Sequence, residues 1–141
     1  MNGALRRMLQ GTLITAGLMA LASAPPAAAQ DNKPQQTKGV SVGSQSTLLL
    51  DEQMPALKGH ALRLRTIILQ PGAVVGHHSH ARRPVVAYLV SGEYTEHRDG
   101  LTEIVHKPGE QWAEGAGLAH WSENRGSEPV VLINVDVLPA K

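Results

Sequence analysis

The sequence of 141 residues contains no cysteine and no phenylalanine, and its aromatic residues are two tryptophans and two tyrosines. Without cysteine, neither a disulfide bond nor a thiolate metal ligand can form. The scarcity of aromatic side chains predicts a core built from aliphatic residues. No stretch after residue 45 carries a sustained helical period with capping residues, so a helical bundle is not expected.

The chain also lacks a large excess of charge, with 13 lysines and arginines against 12 acidic residues. Residues 1–29 have the layout of a secretory signal peptide: Arg6-Arg7, an apolar run, then small residues ending at Ala29. Cleavage there would leave a net charge of −1. We therefore expect an exported protein, periplasmic or secreted, by the Sec or the twin-arginine route. We expect no nucleic-acid partner and no stable membrane anchor after cleavage.

Residues 30–45 are polar and rich in glycine, which predicts a flexible lead-in to a single domain over residues 46–141. Inside that domain, Leu62 and Leu64 alternate with Arg63 and Arg65, as in a β-strand. Turns are predicted at Gln70–Gly72, Ser91-Gly92 and Pro108-Gly109, and Asp99-Gly100 predicts a two-residue hairpin. Many short strands separated by turns favour an all-β sandwich or barrel.

Histidines mark the candidate site. His78 and His80 would point to the same face of a strand, because side chains alternate with period two, and His77 would point to the other. His120 comes forty residues after His80. Three converging imidazoles suit iron, zinc, copper or nickel, so a metal site is predicted.

Two motifs around these histidines resemble those of the cupin superfamily. The first is Gly72-x5-His78-x-His80 with an apolar strand ending at Gly92. The second is Gly117-x2-His120-x3-Asn124, preceded by Pro108-Gly109-Glu110. The resemblance covers roughly residues 60–138 and implies one jelly-roll β-barrel (double-stranded β-helix) of the small single-domain type. It also implies a metal inside one end of the barrel, held by His78, His80 and His120, and makes Asn124 a backbone-bonding residue.

One position departs from the cupin pattern. A glutamate ligand usually precedes the glycine that closes the first motif by seven residues, and this position is Val85 here. A site of three histidines and one glutamate is therefore not expected. Three neutral imidazoles would leave coordination positions on the metal open for substrate and dioxygen, as in some cupin-type dioxygenases. Alternatively, the loss of the anionic ligand weakens metal binding and the site is vestigial. Glu96 or Gln111 could replace the missing ligand, although we expect both to face solvent.

Other residues near the motifs carry two interpretations each. Arg82 and Arg83 could clamp a carboxylate, but a solvated pair on a loop is the preferred interpretation. Trp121 either lines the pocket or packs, Tyr88 belongs to the core or an interface, and Glu114 is expected at a turn or strand end.

The resemblance implies a small exported metalloprotein. The leading hypothesis is a mononuclear oxygenase of the Fe(II) type acting on a small organic anion, with Ni, Mn, Zn or Cu as alternative metals. His77 is the nearest candidate for an acid–base catalyst, although strand alternation favours an outward position. The alternatives are a non-catalytic periplasmic cupin that binds a small ligand or metal, and a cupin-type isomerase. A homodimer would be in keeping with the family.

Overall fold

The computed structural model describes residues 32–140, so the expected signal peptide lies outside the described residues. One short 3-10 helix spans Pro55–Leu57, and the remaining elements are strands. They are β1 (Lys38–Leu49), β2 (His60–Ser79), β3 (Val85–Ser91), β4 (Tyr94–Arg98), β5 (Ile104–His106), β6 (Gln111–Glu114), β7 (Ala119–Glu123) and β8 (Val130–Pro139). Over residues 32–140 no helix is long and apolar enough to span a bilayer. The all-β prediction is confirmed.

Strand β2 organises the barrel. The strands pair antiparallel in the order β5-β4-β7-β2-β8-β3-β6, and β1 also pairs with β2. Residues 60–69 of β2 pair with β8, whereas residues 74–79 pair with β7. One long strand therefore runs through both halves of a curled sheet, which is the jelly-roll arrangement expected from the motifs.

The turn predicted at Gln70–Gly72 is a bend inside β2 rather than a break between strands. Gly72 has φ of +75°, which favours glycine. Its N–H donates to the Asn124 carbonyl at 2.9 Å, and the Asn124 side chain donates to the carbonyls of Leu69 and Glu128. Asn124 thus ties the bend to the end of β7, as the second motif implies.

The flexible lead-in expected over residues 30–45 is not what the described part of this segment forms. Residues 38–45 belong to β1, and residues 34–37 cross over β2. There the His77 N–H donates to the Pro34 carbonyl at 2.6 Å, and the Gly76 N–H donates to Thr37 Oγ1 at 3.0 Å. A Cβ atom on Gly76 would lie 2.6 Å from the Gln35 carbonyl oxygen, so only glycine permits this crossing. Polarity suggested flexibility, but an exposed edge strand needs few apolar side chains.

The turn predicted at Asp99-Gly100 is present, because the Leu101 N–H donates to the Arg98 carbonyl at 3.1 Å, but the hairpin loop is longer than the two residues expected. β4 ends at Arg98 and β5 begins at Ile104, so residues 99–103 form a longer loop. The Asp99 N–H also donates to the Ala119 carbonyl on β7 at 3.0 Å, and this contact continues the β4–β7 edge.

The interior changes from apolar to polar along the barrel. The core cluster consists of Leu69, Ala73, Leu89, Tyr94, Val130 and Leu132. On β8 the buried positions continue from Leu132 to Asn134 and Asp136. On β2 the leucines of the alternating segment are partly solvent-exposed, at 37% for Leu62 and 45% for Leu64. Arg63 and Arg65 instead face the buried Asp136. The polar end of the interior holds the candidate site.

Candidate metal centre

The structure brings together the three histidines that the sequence singled out. His78 lies directly opposite His120 across β2 and β7, after an irregularity in register between Val75 and His78. His80 follows the end of β2, where its N–H donates to the Leu118 carbonyl. The Nε2 atoms of His78 and His80 are 3.1 Å apart, those of His80 and His120 3.0 Å, and those of His78 and His120 3.2 Å. We call these residues the histidine cluster.

The Nδ1 atoms of the three histidines make hydrogen bonds that fix the orientation and the tautomer of each ring. Nδ1 of His78 lies 2.8 Å from the Gly76 carbonyl, and Nδ1 of His80 lies 3.1 Å from the Arg83 carbonyl. Nδ1 of His120 lies 2.6 Å from Glu96 Oε1. Because these oxygens accept hydrogen bonds, each Nδ1 carries the proton and each Nε2 presents a lone pair.

Three lone pairs that converge in this way fit a metal ion. Nitrogens bound to one ion at about 2.1 Å are separated by roughly 3.0–3.4 Å for bond angles near 90–110°. Burial lowers the pKa of His78 and of His80, so both favour the neutral form that binds metals. The cluster therefore suits a divalent transition metal, and the assignment of these three residues as its ligands stays a prediction.

Glu96 lies behind His120 and does not face solvent, contrary to expectation. Its side chain is fully buried, and its second oxygen lies 3.0 Å from His106 Nε2. Burial acts to raise the pKa of Glu96, but the contacts with His120, Arg98 and His106 outweigh it and lower the pKa to about 2. Glu96 is thus an ionised partner that fixes the ring of His120. Gln111, the other substitute considered, is exposed.

Glu114 is the residue that sequence reasoning missed. It is the last residue of β6, in agreement with the turn or strand-end position expected, but its side chain is only 4% exposed, which the sequence did not indicate. Its Oε2 lies 3.2 Å from His80 Nε2, and its Oε1 accepts a hydrogen bond from Trp112 Nε1 at 2.9 Å. Strand alternation places Trp112 and Glu114 on one face, opposite Gln111. This face lies beside the histidines because β6 pairs with β3. That pairing could not be predicted from the sequence.

His77 takes part in a different contact. Its Nε2 lies 3.1 Å from both carboxylate oxygens of Asp99. His77 is also among the residues that line the cavity described below. Its catalytic role stays a prediction.

A cavity of about 380 Å³ opens in front of the histidine cluster. Trp112, which stacks on His106 at 3.8 Å, forms part of its wall. Its apolar lining includes Val40, Val42, Ile67, Leu69, Val75, Ala87 and Leu132. The ring of Trp121 stacks on that of His97, with 3.7 Å between the ring centroids, and Trp121 does not line the cavity. Trp121 therefore packs against His97 and does not contribute to the pocket. The volume is that of a site for a small molecule.

Three arginines surround one buried carboxylate beside this cavity. Arg63 donates to both oxygens of Asp136, at 3.0 and 2.7 Å. Arg83 donates to Asp136 Oδ2 at 3.3 Å, and Arg65 lies 3.5 Å from the same oxygen. We call these four residues the arginine cluster. Three guanidinium groups against one carboxylate leave an excess of positive charge.

Two members of the arginine cluster, Arg65 and Arg83, line the cavity. Burial lowers the pKa of Arg65. Arg65 Nε and the cavity-lining Asn134 Oδ1 are buried and lack a hydrogen-bond partner among the described residues. Arg82 is exposed, so the interpretation as a solvated loop pair holds for Arg82 and not for Arg83.

Comparisons with solved structures show the same fold. A predicted oxalate decarboxylase from Thermotoga maritima is 24% identical, with 76% of this chain and 94% of that chain covered and a TM-score of 0.51. Peruvianin-I, a cysteine peptidase from Thevetia peruviana latex, is 22% identical, with coverage of 75% and 66% and a TM-score of 0.53. A recombinant oxalate oxidase in complex with glycolate is 20% identical, with coverage of 70% and 50% and a TM-score of 0.51. No curated protein matches the chain.

The family model described as "Cupin domain" matches residues 65–136. This range is half of the chain, and it contains the histidine cluster together with Glu96, Glu114 and Asp136. Both motifs lie where the jelly-roll barrel brings them together. The chain therefore belongs to the cupin family.

Proposed function

We propose that this cupin is a small metalloenzyme that acts on a small organic anion at a single divalent transition metal ion. The observation that carries the proposal is the histidine cluster, in which each Nδ1 is engaged and the three Nε2 atoms converge at the cavity. A divalent metal held there with open coordination positions would supply Lewis-acid or redox chemistry, and oxygenation at Fe(II) is our first candidate.

The residues around the cavity support an anionic substrate. Arg65 and Arg83 bring positive charge to its wall, and a guanidinium group binds a carboxylate through paired hydrogen bonds. Arg65 and Asn134 both line this cavity, and each has a buried polar atom, Arg65 Nε and Asn134 Oδ1, without a hydrogen-bond partner among the described residues. The apolar wall would exclude water and strengthen these interactions. Two structural relatives are named for oxalate, but their likeness shows the fold alone, and the substrate class rests on these side chains.

Within this proposal the protein's own groups position the reacting partners. Glu96 holds His120 in one tautomer, and the carbonyls of Gly76 and Arg83 do the same for His78 and His80. The arginines would orient the anion beside the cluster, which lowers the barrier by proximity. Export, a homodimer and a catalytic His77 remain predictions from the sequence.

Elemental analysis of protein purified without chelator tests the proposal first. We expect close to one transition metal ion per chain in the wild type and close to none in H78A/H120A, with both proteins folded by circular dichroism. Oxygen uptake by the Fe(II)-loaded protein with a panel of small carboxylates would then identify an oxygenase. Anion binding without turnover would instead favour the binding protein. Absence of metal from the wild type, even after reconstitution, would refute the metalloenzyme.

A further inference from the structure

The position of the usual glutamate ligand is occupied by a side chain that cannot bind a metal. Val85 is 3% exposed and packs inside the barrel. An imidazole binds a metal as a neutral ligand, so the three histidines would leave the full charge of a divalent ion uncompensated. A buried charge is costly unless an opposite charge lies close to it. A carboxylate from another strand could restore the balance.

Glu114 is on the strand that neighbours Val85. β3 and β6 pair antiparallel with Val85 directly opposite Glu114. Directly opposed residues project from the same face of a sheet, with Cβ atoms about 4.5–5.5 Å apart. The carboxylate of Glu114 therefore enters the same part of the barrel that a glutamate at position 85 would enter, but from β6.

The contacts of Glu114 hold one oxygen and leave the other beside His80, one member of the histidine cluster. Oε1 accepts the hydrogen bond from Trp112 Nε1, whereas Oε2 lies 3.2 Å from Nε2 of His80, the nitrogen that presents a lone pair. Two groups that can only accept do not attract each other without a shared proton or cation. Glu96 differs, because its oxygens contact Nδ1 of His120 and the ring of His106, behind the cluster.

We propose that Glu114 is the fourth, anionic metal ligand, supplied by β6 in place of a glutamate at position 85. The inference rests on the metal site of the proposed function. It gives the site three imidazoles and one carboxylate, and lowers the net charge of a bound divalent ion and its ligands to +1. A carboxylate also suits harder ions such as Mn(II) and Fe(II).

The test is the affinity of the metal-free protein for Co(II) and Zn(II), measured by calorimetry or chelator competition. E114Q keeps the shape and a hydrogen-bonding group but loses the charge. We expect it to bind both ions at least about 100-fold more weakly, beyond the 10–100-fold typical of residues that only support a ligand. E123Q is the matched control, because Glu123 lies on β7 and contacts His97 and Arg125. It should bind as the wild type does.

A second variant moves the carboxylate between the two strands. V85E/E114V should recover most of the affinity that E114V loses, and the visible spectrum of bound Co(II) should return toward that of the wild type. E114Q that binds within threefold of the wild type would overturn the proposal, as would a folded double variant that binds no better than E114V. A wild type that binds no metal would overturn the metal site itself, so the two failures are distinguishable.

Discussion

The histidine cluster and the arginine cluster lie in the same barrel, but the hydrogen-bonding groups that lack a partner are of opposite kinds. In the histidine cluster every Nδ1 has an acceptor, whereas the three Nε2 lone pairs face one another, and that of His80 also faces Glu114. In the arginine cluster the carboxylate of Asp136 is surrounded by donors, and the guanidinium groups outnumber their partner. The histidine cluster therefore has unpaired lone pairs that a cation could bind, and the arginine cluster has excess positive charge that an anion could bind.

Residues of both clusters line the same cavity. Buried polar groups are normally paired, so unmatched groups in a native interior require an explanation. A metal ion at the histidine cluster and an anion between that ion and Arg65 would complete both clusters together. The comparison predicts that changes to the arginine cluster act on stability or anion binding, whereas changes to the histidine cluster act on metal binding.

The largest expected effect on stability is that of D136N. It leaves three arginines without their shared carboxylate, and breaking a buried ion pair from one side costs about 3–5 kcal/mol of unfolding free energy. Because the guanidinium groups are partly solvated, we expect about 3 kcal/mol. Urea unfolding at pH 7 measures it. The control E103Q breaks an exposed pair with Arg125 and should cost less than about 1 kcal/mol.

The same variant has a defined pH dependence. Burial acts to raise the pKa of Asp136, but the arginines, Arg63 foremost, outweigh it and lower the pKa below its ordinary value. The stabilisation is therefore complete above the unfolded pKa of about 3.9 and is lost as the pH falls through the folded value. The stability difference between wild type and D136N should shrink below about pH 4. A difference that is constant down to pH 2 would contradict the ion-pair account.

E96Q should have a smaller effect, and on metal affinity. Glutamine keeps the shape of Glu96 but removes the charge that orients His120, and losing such a supporting partner typically weakens metal binding about 10–100-fold. This corresponds to roughly 1.4–2.7 kcal/mol. Zinc competition against a chelator measures it, and the loss should be smaller than that of E114Q. Equal or larger loss would make Glu96, rather than Glu114, the carboxylate that matters most to the ion.

The histidine cluster could be predicted from the sequence because short motifs identify its three members. The spacing of His78 and His80 fixes a shared face, and the second motif locates His120. The arginine cluster could not, because alternation separates Leu62 and Leu64 from Arg63 and Arg65 without saying which set faces inward. The buried carboxylate that draws the arginines inward lies on β8, more than seventy residues away. Glu114 was missed for the same reason, since its neighbourhood depends on the register of β3 and β6.

The smallest expected effect separates the two arginines on β2, and it tests whether the excess charge serves a ligand. Arg65 lines the cavity and makes no hydrogen bond to Asp136 through its Nε, whereas Arg63 donates two hydrogen bonds to Asp136 and lies outside the lining. R65M in the zinc-loaded protein should weaken binding of a small carboxylate such as acetate about tenfold, or roughly 1.4 kcal/mol, by calorimetry. R63M should instead lower the unfolding free energy and leave the affinity for the carboxylate unchanged. If both variants lose only stability, the arginine cluster is a structural ion-pair network, and the anionic substrate loses its main support.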